Sequence, residues 1–232
     1  MPAATTSAST SPDAPQISDP TDELARQIDT YVALGYPALA CLDEAAFRAL
    51  FAPLERPLAD AVAAGLNLTV TGNRVPFVAV IADALVPPEE RVPMLRAGRG
   101  KKEGILDRNY GDNGLAPYRA IDGLGIPDAP VYLLLDVERG DEFKNVKPMN
   151  ATPIIAERAR TVLTIAEGLS FNVAYPDKLM KNHCFMLAGS HEGNRRVPAI
   201  WISKNAPKLG WCFQGVEHTW LSIASAAGRV AS

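Results

Sequence analysis

Cysteine and histidine are scarce in this sequence, with three of each among 232 residues. An odd number of cysteines at this length does not make a disulfide framework, and free thiols are typical of the cytoplasm, where we expect this protein. No apolar run approaches the roughly 18 residues that a membrane-spanning helix needs. The formal net charge of -3 gives no electrostatic reason to bind nucleic acid or a membrane surface. We therefore expect neither among its partners.

Apolar residues make up 47% of the chain, which is enough for one substantial core. The first 18 residues differ from the rest, because they are rich in Ser, Thr, Ala and Pro and have no basic start and no apolar stretch. Such a segment is not a secretory signal and cannot bury enough apolar surface to become ordered. The sequence thus predicts a disordered tail over residues 1–18 and a single domain over residues 19–232.

Helical signals fill residues 19–65. Asp19 suits an N-cap and Pro20 suits the first helical position. Apolar residues then recur at helical spacing, namely Leu24, Ile28 and Tyr31. These residues are predicted to form an N-terminal helical lobe.

Residues 66–221 are predicted to hold the sheet and further helices. Strands are expected over residues 66–71 and 75–82 around a Gly72-Asn73 turn, near residues 92–96 and 104–107, and over residues 131–137. Residues 91–130 are glycine-rich and have little periodicity, and such a long irregular segment is usually functional or wrongly assigned. Helices are expected to begin at Thr152-Pro153 and, through a capping box, at residues 164–167. Because helices and strands do not alternate strictly, the class is α+β.

The chain from residue 183 to residue 221 is predicted to be a three-strand antiparallel meander flanked by helices. It holds all three histidines, all three tryptophans and two of the three cysteines. Trp201 and Trp211 should lie on adjacent strands, since Asn205 and Pro207 favour a tight reversal between residues 204 and 208. Residues 222–232 are small and are expected to form a frayed tail.

The run RRVPAIWISKNAPKLGWC, followed by HTWL, resembles an uncharacterised family of actinobacterial proteins. Two earlier stretches, YRAIDGLGIPDAPVYLLLDVERGDEFKNV and LTIAEGLSF, are similar to the same family. The resemblance implies the fold and the compartment, and it carries no activity. It also implies that family members hold counterparts of Arg195, Arg196, Trp201, Lys204, Trp211, Cys212, His218 and Trp220.

A metal site could be assembled from five side chains in the meander: His183, Cys184, His191, Cys212 and His218. Zinc signatures place ligands two to four residues apart, whereas His183 and Cys184 are adjacent and point to opposite faces of a strand. Buried cysteine also commonly serves as a small hydrophobe. We therefore expect no metal and no cofactor, with the metal site left as an alternative.

A second hypothesis is that the protein is an enzyme with a catalytic thiol. Cys212 and His218 are six residues apart across a turn, so His218 could act as the base for a Cys212 nucleophile, and Cys184 is the other candidate thiol. Packing of the cysteines and a histidine anchored to backbone explain the same residues. Whether the protein is an enzyme stays open.

Ligand binding is the leading hypothesis. Basic residues in the turns and the tryptophans beside them could recognise a small anionic molecule or a protein partner, because arginine binds anions and aromatic rings provide a stacking surface. The residues are Arg195, Arg196, Lys204 and Lys208, with Trp201, Trp211 and Trp220. The alternative is solvated basic residues and core tryptophans. An acidic cluster, Asp136, Glu138, Asp141 and Glu142, is expected to be a solvated loop rather than a cation site.

Overall fold

The computed structural model of the protein describes residues 15–232, and residues 1–14 of the predicted tail lie outside that range. Two five-stranded sheets enclose one buried helix, and more helices pack outside the first sheet, so the predicted α+β class is confirmed. The helices are α1 (Pro20–Ala33), α2 (Tyr36–Leu39), α3 (Glu44–Ala49), α4 (Glu55–Ala63), α5 (Pro88–Arg91), α6 (Pro148–Glu157) and α7 (Ile165–Ala174).

Twelve strands are found in the described chain. They are β1 (Arg74–Ile81), β2 (Ile105–Leu106), β3 (Arg119–Ala120), β4 (Val131–Glu138), β5 (Thr161–Val162), β6 (Cys184–Met186), β7 (Ser190–His191), β8 (Arg196–Ser203), β9 (Ala206–Phe213), β10 (Leu221–Ile223), β11 (Ser225–Ala226) and β12 (Gly228–Val230). The first sheet has the order β1-β4-β11-β5, with β12 also paired to β4. The second sheet has the order β10-β6-β8-β9-β2, and β3 and β7 form a separate ribbon.

Helix α7 is the centre of the molecule, because all ten of its residues are buried. The predicted capping box is present: the Thr164 side chain accepts from the Glu167 amide, and the Glu167 carboxylate accepts from the Thr164 amide at 2.7 Å. Phe171 of this helix packs on Phe185 of the second sheet, with ring centroids 5.3 Å apart. Gly168 lies so close to Leu187 that a side chain could not be added without displacing it. The helix therefore joins the cores of both sheets.

The N-terminal helices cover the outer face of the first sheet. Asp19 caps α1 as predicted, accepting from the Thr21 amide at 2.7 Å. Tyr31 is fully buried, and its hydroxyl group donates a hydrogen bond to the Ala79 carbonyl at 2.6 Å. The predicted helical lobe is thus a layer on the sheet and shares a hydrophobic core with β1 and β4.

Several predicted elements need correction. Strand β1 pairs with β4 and not with residues 66–71, because Val75 and its neighbours find a long apolar partner there. Thr69 instead bridges Gln16, so paired backbone already begins within the predicted tail. The strand expected near residues 92–96 is a 3-10 turn, and helix α6 begins at Pro148, four residues before the predicted start.

The prediction of a frayed tail over residues 222–232 is wrong. Three short strands, β10 to β12, return through both sheets, and β11 and β12 pair with β4. The residues from 221 to 226 are all buried. Small residues permit this close approach. For example, Gly140 has no side chain that would collide with the Ile223 carbonyl. The end of the chain is part of the core.

Candidate functional site

The predicted hairpin that carries two of the tryptophans is present. Strands β8 and β9 are antiparallel neighbours, and β6 completes the meander on the other side of β8. The turn is Lys204-Asn205, both with positive φ, which is typical of a two-residue hairpin turn. It is tighter than the predicted reversal over residues 204–208, since Ala206 already pairs with Ser203.

The register of this hairpin separates the tryptophans. Trp201 lies opposite Lys208, whereas Trp211 lies opposite Pro198. Directly paired residues share a face and successive residues alternate, so Trp201 and Trp211 project from opposite faces of the sheet. The predicted binding residues therefore do not form one site.

On the face of Trp201, three rings form a row. The Trp201 and Trp220 centroids are 6.3 Å apart in an edge-to-face arrangement, and the His218 ring lies 5.3 Å from Trp220. The Trp201 ring also covers Gly210, where an added methyl group would collide with it. All three rings are partly buried and contribute to packing.

On the other face, the Arg196 guanidinium stacks 4.3 Å above the Trp211 ring. Its Nη1 lies 3.5 Å from the Glu192 carboxylate, and Trp211 Nε1 donates to the Asn109 carbonyl at 3.2 Å. Arg195 is exposed. Arg196 is thus already engaged by an aromatic ring and a carboxylate.

The two predicted lysines differ from each other. The Lys208 ammonium pairs with the buried Asp107 carboxylate at 2.7 Å. Lys204 is exposed at the turn, where its carbonyl accepts from Lys102 Nζ at 2.9 Å. Of these two lysines, Lys204 is the one whose ammonium group has no ion-pair partner among residues 15–232.

The predicted Cys212–His218 pair does not have the geometry of an activated nucleophile. Burial raises the pKa of the Cys212 thiol to about 11, so the thiol is protonated at neutral pH. Burial also lowers the pKa of His218, and its Nε2 is buried without a partner in the described part of the chain. Between residues 15 and 232 no hydrogen bond joins these two side chains. The arrangement does not favour the thiol reading.

The other proposed metal ligands have partners of their own. His183 Nδ1 lies 2.9 Å from the Asp141 carboxylate and 2.7 Å from the Lys144 ammonium, so a metal ion there would face a cation. The buried Cys184 thiol points to the Met180 carbonyl at 3.5 Å, and His191 Nδ1 accepts from the Gly193 amide at 2.6 Å. Over residues 15–232 no three His, Cys, Asp or Glu side chains are grouped to hold a metal ion.

The acidic cluster is ion-paired rather than solvated. Arg160 binds Asp136 at 2.7 Å, and Arg74 contacts both Asp136 and Glu138. Burial alone would raise the pKa of Asp141, but hydrogen bonds and charge from Arg139 outweigh it and lower that pKa to about 2. These carboxylates hold three arginine side chains in place, of which Arg139 is buried.

A cleft of about 420 Å³ opens at the N-terminal end of α7. Its walls come from the loop after β1, the irregular segment between α5 and β4, and the β3–β7 ribbon. The lining residues are Ala82, Asp83, Ala84, Pro88, Leu115, Tyr118, Arg119, Ala120, Ile126, Tyr132, Thr164, Ile165, Ala166 and Ser190. None of them was among the predicted site residues.

The inner wall of the cleft is fixed by a buried ion pair. Glu167 and Arg229 bind through two hydrogen bonds, of which Nη2 to Oε2 is 2.9 Å, and neither side chain is more than 2% exposed. Tyr132 donates to Glu167 at 3.0 Å. Ser190 Oγ accepts from the Ile165 amide at 2.9 Å. These contacts occupy the Thr164 and Ile165 amides and hold the start of α7 in place.

Charged groups reach the cleft from two sides. Asp83 accepts from the fully buried Arg91 at 3.0 Å, while half of the Asp83 side chain is exposed. Arg119 is exposed, and its Nη1 donates to the carbonyls of Ala116 and Tyr118. Its Nε and Nη2 have no hydrogen-bond partner within residues 15–232. Among the described residues, the cleft therefore combines an apolar body with one half-exposed carboxylate, Asp83, and one exposed guanidinium, Arg119.

An apolar groove lies across Ser190 from the cleft. It measures about 530 Å³ and is formed by α6 and the meander, with Met149, Pro153, His191 and Val197 in its wall. The described residues of its lining include no Asp, Glu, Lys or Arg. The groove therefore lacks a fixed charge to recognise an anion.

One sequence signal pointed to the cleft. The glycine-rich region over residues 91–130 lacks periodicity, and it supplies five of the lining residues: Leu115, Tyr118, Arg119, Ala120 and Ile126. The rest of the wall comes from distant elements, which no local pattern connects.

The fold and cleft define an α+β protein with a concave site of small-molecule size. The model of a family of unknown function, DUF5701, matches residues 30–232, so the chain belongs to that family. Comparisons with curated proteins and with solved structures found no match. In the described chain no helix is long and apolar enough to cross a membrane.

Proposed function

We propose that this protein binds a small molecule that carries an anionic group, and that the binding site is the cleft at the N-terminal end of α7. The observation that carries the proposal is the free edge of Arg119 in a concave surface. Pockets of this size with a few converging polar groups are the usual form of small-ligand sites. Arginine recognises carboxylate and phosphate through two parallel hydrogen bonds, and two nitrogens of Arg119 remain for them.

Helix α7 supports the same assignment. Its N-cap residue Thr164 and its first two residues, Ile165 and Ala166, line the cleft. The positive end of the helix dipole favours negative charge there. The Thr164 and Ile165 amides already donate to Glu167 and Ser190, so the helix contributes mainly its field and Arg119 contributes the contact.

The remaining wall suits an apolar ligand body. Leu115, Tyr118 and Tyr132 are buried or nearly so, and Ile126 is partly exposed at the rim. Contact with such side chains releases water and stabilises the complex. The proposed ligand is therefore a small molecule with one anionic end and one apolar end.

A calorimetric titration with 3-phenylpropionate tests this proposal, since the probe has one carboxylate and one apolar ring. Loss of a charged hydrogen bond costs about 1.5–3 kcal/mol, so Arg119→Ala should bind the probe at least roughly tenfold more weakly. Arg108→Ala is the matched control, because Arg108 is exposed and lies outside the cleft. No binding to the wild type, or equal binding by Arg119→Ala, would contradict the proposal.

A second candidate binding site consists of aromatic residues that the sequence predicted for ligand binding or catalysis. Trp201, Trp220 and His218 form a partly exposed aromatic row, and Lys208 Nζ lies 5.9 Å above the Trp201 ring. This row could hold the ring of a ligand or contact a protein partner. If Trp201→Ala abolished binding of the probe and Arg119→Ala did not, the row would replace the cleft as the site.

A further inference from the structure

Asp83 places a carboxylate in the cleft that is only partly neutralised. Its Oδ1 accepts from Arg91 at 3.0 Å, and its Oδ2 has no hydrogen-bond partner among the described residues. Arg91 itself is shared, because its Nη2 also donates to the Ala166 carbonyl at 2.7 Å and to Ser170 Oγ at 3.2 Å. Asp83 therefore keeps unsatisfied negative charge on its exposed side.

The surroundings of Asp83 add to this negative charge. Glu89 lies beside the cleft, where its carboxylate accepts from the Leu115 amide at 2.9 Å. Burial raises the pKa of Asp83, and the charges of Glu89 and Glu167 raise it further against the opposing charges of Arg91 and Arg119. A positive group placed next to Asp83 would relieve this repulsion.

Among the residues of the described chain that line the cleft, Asp83 is the one acidic residue and Arg119 the one basic residue. A simple anion bound at Arg119 would meet the field of Asp83. A simple cation bound at Asp83 would meet Arg119. A ligand that carries both charges satisfies both side chains and adds no net charge to the cleft.

From this arrangement we propose that the ligand is a zwitterion, an α-amino acid with an apolar side chain. Its carboxylate binds Arg119, its ammonium group binds Asp83, and its side chain lies against the apolar wall. The inference rests on the proposed function and specifies the class of ligand for the same cleft.

Three probes with one ring separate the two charges. Phenylalanine carries both, 3-phenylpropionate carries the carboxylate alone, and phenethylamine carries the ammonium group alone. In calorimetric titrations of the wild-type protein, phenylalanine should bind at least about tenfold more tightly than either of the others, since each charged contact is worth a factor of that order. This comparison needs no variant.

Asp83→Asn then locates the ammonium contact. Asparagine keeps an oxygen that can accept from Arg91, so the buried arginine retains a partner. The variant should bind phenylalanine only as tightly as it binds 3-phenylpropionate. Its affinity for 3-phenylpropionate should be no lower than that of the wild type. Asp112→Asn, at an exposed position outside the cleft, should leave every affinity unchanged.

The results distinguish failure of the inference from failure of the proposed function. If phenylalanine and 3-phenylpropionate bound the wild type equally, the zwitterion would be excluded and the anion site would stand. Binding of neither probe would overturn both. Equal loss of both probes in Asp83→Asn would make Asp83 a positioning residue for the cleft wall and would contradict the ammonium contact.

Discussion

The meander and the cleft differ in how far their polar groups are already satisfied. The meander is dense in reactive residues, yet Lys208 pairs with Asp107 and Arg196 stacks on Trp211. The cleft has fewer such residues, but Asp83 and Arg119 both keep atoms without partners in the described chain. A binding site needs free groups on a concave surface, and a high density of reactive residue types does not supply it.

The two regions also differ in what supports them. Each strand of the meander is held by regular pairing with the next strand, so most single changes there should act on packing. The cleft wall depends on one buried ion pair at the start of α7. Stability and binding experiments can therefore separate the two regions.

The largest effect is expected at the ion pair behind the cleft. Glu167→Ala leaves Arg229 buried without its carboxylate and removes half of the capping box. Removal of one partner from a buried pair typically costs about 3–5 kcal/mol, which should appear as a loss of unfolding free energy in urea. Glu157→Ala, on an exposed helix position, is the control and should change stability by less than about 0.5 kcal/mol. A small effect of Glu167→Ala would show that the wall does not depend on this pair.

The next effect tests whether Trp201 serves packing. Gly210→Ala would place a methyl group against the Trp201 ring, which must shift. Overpacking of this kind costs about 1–3 kcal/mol and should change the tryptophan fluorescence. Gly228→Ala meets no atom within 4 Å and serves as the control. Unchanged stability in Gly210→Ala would mean that Trp201 is free to move, as a ligand-binding ring would be.

A smaller effect concerns Asp141, whose folded-state pKa of about 2 lies below the ordinary value of 3.8. A carboxyl group with a depressed pKa stabilises the folded state above its unfolded pKa, and this contribution is lost as the pH falls through the folded pKa. The free energy of unfolding of the wild type should therefore exceed that of Asp141→Asn by on the order of 1–2 kcal/mol at pH 6. The difference should shrink between about pH 4 and pH 2. A difference that stayed constant over this range would contradict the assignment.

The smallest change is chemical and leaves the fold intact. Because burial raises the pKa of Cys212 to about 11, its alkylation by iodoacetamide should be slow at pH 7 and should accelerate as the pH approaches that value. The measurement uses Cys41→Ser, since Cys41 is the exposed thiol, and follows the adduct by mass spectrometry. Rapid alkylation of Cys212 at pH 7 would restore the thiol-enzyme reading.

Local signals were sufficient for several elements of the fold. The Asp19 cap, the capping box at Thr164 and Glu167, and the Trp201–Trp211 hairpin each depend on residues close in sequence. The sequence did not predict that Trp201 and Trp211 lie on opposite faces of the sheet, because the turn was predicted over residues 204–208. The two-residue turn at Lys204 and Asn205 sets a register in which they face opposite ways.

Non-local contacts account for the rest. The small residues after Leu221 suggested a loose end, but their size lets β11 and β12 pair with β4 deep in the molecule. The cleft joins Asp83, Arg119 and Ser190 from three distant elements. No spacing in the sequence connects these residues, because only the packing of both sheets on α7 brings them together.

The central claim is that the ligand binds at the cleft and not at the meander. Two-dimensional NMR of ¹⁵N-labelled protein with added phenylalanine tests it directly, because the indole signals of Trp201, Trp211 and Trp220 report on the meander. Binding at the cleft should shift the backbone amides at residues 82–84, 118–120, 164–166 and 190 and leave the three indole signals unmoved. Movement of the indole signals while those amides stay in place would contradict it.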